Sequence, residues 1–477
     1  MPRIAGPVRF LRRVCALLLC ALAALGAAPV STMPGTQDQP EPAKEPESKK
    51  EGGAPAAAPA APEKPADAVE WYSIHAQSTF VGQANSPMHS PYASFLSFPS
   101  TMTSRNTATG TLYFDLRLWH GADVVFDPEF AGGTGLNGTS GIAGFPNGEA
   151  TRTGLLMPTG YVARLFLRQT IGLNGDLERV ESGPNQLAGY RDIDRITFTI
   201  GKMSATDIFD DNRFSHDPRT QFMNWSIMYN GAWDYPANTR GYNYGGTVEF
   251  NTRYFAFRYG LFGEPSAPNG PDIDPKILRA HGQIWEIEER YELDGHPGRL
   301  HQFAFLNYER AANYRQVLVA MPVNPDPAPF RAYQPKYGFG LNFEQELTRS
   351  LGAFLRAGWN DGQTENWAFT EIDETISAGL LLKGTRWRRP KDEVGIAGVF
   401  NGISNAHRDF FAAGGFGFIV GDGRLNYGPE EIIELYYNCE LRDGLNVTLD
   451  FQGVNHPAYN RDRGPVAVWC LRVHLAF

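Results

Sequence analysis

The sequence predicts an all-β protein, a 16-stranded antiparallel transmembrane β-barrel with extracellular loops folded inward. Three observations carry this. Apolar and polar residues alternate in runs of about ten, the length of a tilted strand crossing a bilayer. Connections between the runs alternate between short and long. Beyond the N-terminal segment, no stretch approaches the roughly eighteen consecutive apolar residues of a helical span.

Composition agrees. The 477 residues carry a formal net charge of −9, with 51 glycines, 34 prolines and 13% aromatics. That mixture suits many short strands with turns. It offers no broad basic surface for nucleic acid. The mean hydropathy of −0.34 is expected where only alternate strand residues meet lipid.

Arg9, Arg12 and Arg13 precede the apolar run from Val14 to Leu25, and small residues follow at Gly26, Ala27 and Ala28. This reads as an export signal over 1–28, too short to span a membrane. Residues 29–69 are rich in Pro, Ala, Glu and Lys. They cannot bury a core and are expected to form a disordered periplasmic tether, leaving 70–477 for the barrel.

The predicted strands are 71–81, 109–119, 122–131, 160–171, 193–203, 241–250, 253–262, 281–291, 299–309, 335–347, 351–361, 373–385, 393–402, 430–441, 445–454 and 466–477. Strand residues point alternately to opposite faces. In the second run Leu112, Phe114, Leu116 and Leu118 oppose Tyr113, Asp115 and Arg117; in the fourth, Ala163, Leu165 and Leu167 oppose Arg164 and Arg168. The last run, VAVWCLRVHLAF, sets Trp469, Leu471, Val473, Leu475 and Phe477 against Val468, Cys470, Arg472 and His474. It is expected to close the barrel on the first strand, with Phe477 as the signal for the assembly machinery. Cys439 falls on an apolar face and Cys470 on a polar one, so both are expected free.

Short turns such as His120–Gly121 and Arg442–Gly444 exchange with long loops around 82–108, 132–159, 204–240, 310–334 and 403–429. One connection breaks the rule: 172–192 is long where a short turn belongs. An even strand number places both chain ends on the periplasmic side.

Catalytic signatures such as H-E-x-x-H, G-x-S-x-G and a P-loop are missing. The G-x-G-x-x-G at Gly133, Gly135 and Gly138 opens no helix pattern, and the histidines lack metal-ligand spacing. No cofactor is implied. The richest segment is the loop after the fifth strand, with Asp210, Asp211, Arg213, Arg219, Trp225, Trp233, Asp234 and Arg240. So many aromatics on a solvated loop would be exposed at a cost. Folded into the barrel, the loop would narrow the bore. Rings beside mixed acids and arginines suit a neutral polyol, because C–H faces pack on rings while charged groups bond hydroxyls. A phosphate channel would instead stack Lys and Arg.

The stretches Gly201–Gly245, Gly414–Asn438 and Asn455–Phe477 resemble the carbohydrate-selective porins of the OprB type. The resemblance implies a sixteen-stranded barrel of the bacterial outer membrane that admits glucose and related sugars by passive diffusion. The predicted pore lining is the loop set above with Arg117, Arg164, Arg168, Arg258, Arg356 and Glu434, and no metal. Expected partners are carbohydrate solutes, outer-membrane lipids, lipopolysaccharide and the assembly machinery; monomer and homotrimer both stay open. A less selective general or anion porin and an outer-membrane barrel enzyme are the alternatives.

Overall fold

Period-two alternation gives each strand one face for lipid and one for the bore, and the strands satisfy their backbone groups by closing on themselves. The computed structural model describes residues 69–150 and 158–477. The predicted signal peptide and all of the tether but Val69 lie outside them. The strands are β1 (Tyr72–Asn85), β2 (Ser104–Trp119), β3 (Ala122–Gly133), β4 (Thr159–Gly172), β5 (Leu177–Val180), β6 (Gly189–Asp192), β7 (Arg195–Met203), β8 (Asn243–Asn251) and β9 (Phe255–Gly263). They continue with β10 (His281–Leu293), β11 (His296–Ala311), β12 (Ala332–Thr348), β13 (Leu351–Asn360), β14 (Glu374–Gly384), β15 (Arg389–Gly402), β16 (Glu430–Arg442), β17 (Leu445–Asn455) and β18 (Val466–Ala476).

Sixteen of them form one closed antiparallel barrel, each beside its sequence neighbour, with β18 paired to β1 from Gln77↔Ala476 to Asn85↔Val468. All sixteen predicted runs are present. The largest boundary difference is at the first loop, which shrinks to 86–103 because β1 and β2 extend past the apolar alternation. The other two strands, β5 and β6, form a separate two-stranded sheet inside the anomalous 173–194 connection.

Outward faces are apolar: Leu112, Leu116, Leu118, Trp469 and Leu471 are exposed, while Tyr113, Asp115, Val468, Cys470 and Arg472 are buried. Trp71, Tyr72, Trp119, Tyr254 and Phe477 are exposed at the end carrying the short turns, and Phe130, Tyr244, Tyr337 and Phe339 near the end carrying the long loops. Aromatic girdles of this kind mark the two membrane interfaces, with short turns periplasmic. Among the described residues no helix is long and apolar enough to cross a membrane. Cys439 and Cys470 are free.

One predicted face is corrected. Ala163 is fully buried and does not join Leu165 on the lipid side. The ladder between β3 and β4 slips from Asp127↔Arg164 to Pro128↔Val162, leaving Ala163 as the extra residue of a bulge. Pro128 has no N–H to give to the ladder, and the opposite strand bulges beside it.

Candidate functional site

The loop joining β7 to β8, residues 204–242, folds into the bore and crosses to strands nearly opposite its origin. Polar anchors fix it. Arg356 on β13 donates from Nε to Asp210 Oδ1 at 3.1 Å, from Nη2 to Ser215 O at 2.7 Å and from Nη1 to Ile227 O at 3.1 Å. The other Asp210 oxygen accepts from Asn230 N at 2.7 Å. Glu434 on β16 accepts the amides of Met223 at 2.5 Å and Asn224 at 3.1 Å. Arg472 on β18 donates to Pro218 O and Gln221 O at 2.6 and 2.8 Å. Asn224 caps the short helix α1 (Trp225–Met228) by accepting from Ser226 N. Asp234 gathers the amides of Trp367, Ala368 and Phe369 at 2.6–3.1 Å.

Apolar packing completes the anchoring. Phe209, Phe222, Trp225 and Trp233 are almost fully buried, each burial worth about 2–3 kcal/mol. Trp225 stacks on Phe145 at 5.1 Å, and Tyr235 on Phe369 at 5.0 Å.

Among the described residues, two cavities lie between the loop and the wall that includes β2, β3 and β4. The smaller, an eyelet of about 100 Å³, is lined by Thr109, Glu129, Glu149, Tyr161, Arg164, Asp207, Arg219, Trp225, Tyr229, Tyr235, Arg240, Tyr242 and Phe369. Arg164 bridges Asp207 at 2.5 Å and Asp127 at 3.4 Å. Arg219 lies 3.4 Å from Glu149 and 3.8 Å from Glu129. The Arg240 guanidinium sits 3.8 Å from the centre of the Tyr161 ring, and Tyr161 hydrogen-bonds Glu129. Beneath this eyelet the bore opens into a chamber of about 990 Å³, bounded by the wall, the underside of the loop and the β5–β6 hairpin.

The predicted site residues divide four ways. Arg164, Arg219, Trp225 and Arg240 line the eyelet. Arg117, Arg168, Asp211 and Arg258 line the chamber, where Arg168 pairs with Asp123 at 2.7 Å, Asp211 with Arg299 at 3.0 Å and Arg258 with Glu286 at 2.8 Å. Arg213 is held by Glu344 at 2.6 Å at the turn end of the loop. The remaining five are corrections: Asp210, Trp233, Asp234, Arg356 and Glu434 are buried and hold the loop to the wall. Trp233 does so by packing, while the four charged groups bond backbone groups of the loops and one another, because a charge taken out of water must be paired.

Lining residues that the sequence reading did not name are Glu129, which shares the inward parity of Asp123 and Asp127 on β3, and Glu149, Tyr161, Tyr229, Tyr235, Tyr242 and Phe369, which strand parity does not place there. Tyr161 has the wrong parity beside Arg164 and Arg168. The bulge at Ala163 turns it inward, and the only sequence signal was Pro128 on the facing strand.

A family profile described as "Carbohydrate-selective porin, OprB family" matches residues 113–477. Among solved structures, the high-pH structure of Pseudomonas putida OprB is similar at a TM-score of 0.63 and 17% identity, over 85% of this chain and 94% of that one. The low-pH structure of Pseudomonas putida OprB aligns at a TM-score of 0.46 and 14% identity, over 85% and 92%. The outer membrane channel DcaP of Acinetobacter baumannii aligns at 0.47 and 9%, over 85% and 97%. No curated protein sequence matches the chain.

Proposed function

The chain belongs to the OprB family of carbohydrate-selective porins, an outer-membrane channel for passive carbohydrate diffusion, and we propose that its selectivity resides in the eyelet between the inward loop and β2–β4. The observation that carries this is the pairing of opposite charges along a ring-lined constriction. Arg164, Arg219 and Arg240 face Asp207, Glu129 and Glu149, three against three. A sugar hydroxyl both donates and accepts, so each one can bond a carboxylate and a guanidinium at once. A lone cation or anion gains from one set and is repelled by the other. The rings of Tyr161, Tyr229 and Tyr242 offer flat faces to pyranose C–H groups.

Contacts of this kind replace part of the solute's hydration and remain weak, which flow requires. Passage involves no covalent step. Residues 1–28 serve export and 29–69 tether the barrel on the periplasmic side. Outer-membrane lipids and lipopolysaccharide cover the apolar belt, and Phe477 is read by the assembly machinery.

Reconstitution in a planar bilayer tests the eyelet. Glucose should reduce the stepwise conductance, and Arg240→Ala or Tyr161→Ala should weaken that reduction about tenfold, the scale of one lost charge-assisted contact. Equal block in wild type and both variants would move the selective site elsewhere.

A further inference from the structure

The long connection between β4 and β7 faces the periplasm, where the other connections are short turns, and it does not hang outside the barrel. Its hairpin carries the turn Gly183-Pro184-Asn185-Gln186, closed by Gly183 and Gln186 exchanging backbone hydrogen bonds at 3.0 Å. Pro at the second position and Asn185 at φ 57° at the third are what a type II turn requires. This tip enters the bore. Asn185 Nδ2 donates to Asp127 Oδ2 at 2.9 Å, and Arg168 Nη2 donates to Asn185 O at 2.9 Å. Asp127 is the carboxylate that Arg164 also contacts from the eyelet. At the base, Glu70 clips the return strand: its Oε2 accepts from Ala188 N at 2.7 Å and its N donates to Ala188 O at 3.1 Å.

We propose that the β5–β6 hairpin is a second carbohydrate-selecting element, set at the exit, with Asn185 standing in for a sugar. The inference rests on the eyelet being where the sugar arrives from. Asn185 offers a side-chain donor and a backbone acceptor side by side to Asp127 and Arg168, as neighbouring sugar hydroxyls would. The second oxygen of Asp127 is buried and has no hydrogen-bond partner. That oxygen becomes reachable only as the Asn185 amide lets go, and a hydroxyl can then bond the exposed carboxylate. A polyol can replace both bonds that the tip gives up, whereas an apolar solute replaces neither and an ion only the one to the group of opposite charge.

The test uses single oriented channels with glucose added to either side. One variant replaces residues 173–194 with an Asn-Gly turn, which the Gly172↔Arg195 pairing accommodates; the other is Asn185→Ala. The deletion should raise the glucose on-rate from the periplasmic side about fivefold, the scale of one or two hydrogen bonds. The on-rate from the extracellular side should stay as in wild type. Asn185→Ala should give a smaller rise of the same sign. Neutral polymers added on the periplasmic side should enter at larger size in the deletion. On-rates and polymer cut-off both equal to wild type would overturn the proposal. Wild-type channels that glucose does not block from either side would sink the eyelet reading instead, and the polymer cut-off alone would then decide the hairpin.

Discussion

Exchanging Arg356 for Met tests what holds the inward loop. The substitution keeps an unbranched chain of similar reach and removes the charge. In the native protein Arg356 and Asp210 are both fully buried, and the guanidinium also bonds Ser215 O and Ile227 O. Met leaves the Asp210 carboxylate in the dry interior with no cation, facing Glu286, whose carboxylate already accepts the Asp210 amide at 2.8 Å. Breaking a buried pair from one side costs about 3–5 kcal/mol. At about 1.4 kcal/mol per decade that shifts the docked-to-released equilibrium of the loop by two decades or more. The barrel ladder is untouched, so the cost falls on docking. Single-channel conductance should rise and fluctuate, and trypsin should cut after Arg213 and Arg219 in the folded barrel. Adding Asp210→Asn should reverse most of this, because no buried charge is then left unpaired and Asn tolerates the φ of 59° found at this position. Unchanged conductance and protease resistance in Arg356→Met would refute the assignment. So would a double variant as disturbed as the single one.

Three further outcomes follow from named contacts. Leu471 faces lipid at the middle of β18, so Leu471→Arg should cost about 2–4 kcal/mol, read as a lower unfolding temperature in heat-modifiability gels. Burial disfavours the Asp217 carboxylate, but Arg219, its amide, His474 and Thr220 Oγ together hold it below the usual carboxylate range. Its stabilisation of the loop is therefore present above that range and lost as pH falls through the depressed value; the conductance difference between wild type and Asp217→Asn should vanish only in strong acid. Deleting Phe477 should lower the amount of folded barrel in the outer membrane while leaving the conductance of each inserted channel as it was.

Strand number, the strand faces outside the β4 bulge and the closing role of VAVWCLRVHLAF were legible in the sequence, because alternation is local: each residue's side depends on its neighbours along the strand. The inward course of the loop after β7 was legible from its aromatics, which a solvated loop would expose. The 172–192 connection announced itself by length, and its G-P-N-Q turn was readable, but no local rule says that such a hairpin enters the bore. The division of the loop's charges was decided by partners more than a hundred residues away. Asp210 and Arg213 lie three residues apart in one acidic-basic run, yet Asp210 meets Arg356 in the dry interior and Arg213 meets Glu344 at the open edge. Tyr161 shows the limit most clearly. Its own strand reads as unbroken alternation, and its inward turn toward Glu129 and Arg240 depends on Pro128 of another strand lying across from Ala163. A register slip belongs to a pair of strands, so only the paired structure could decide it.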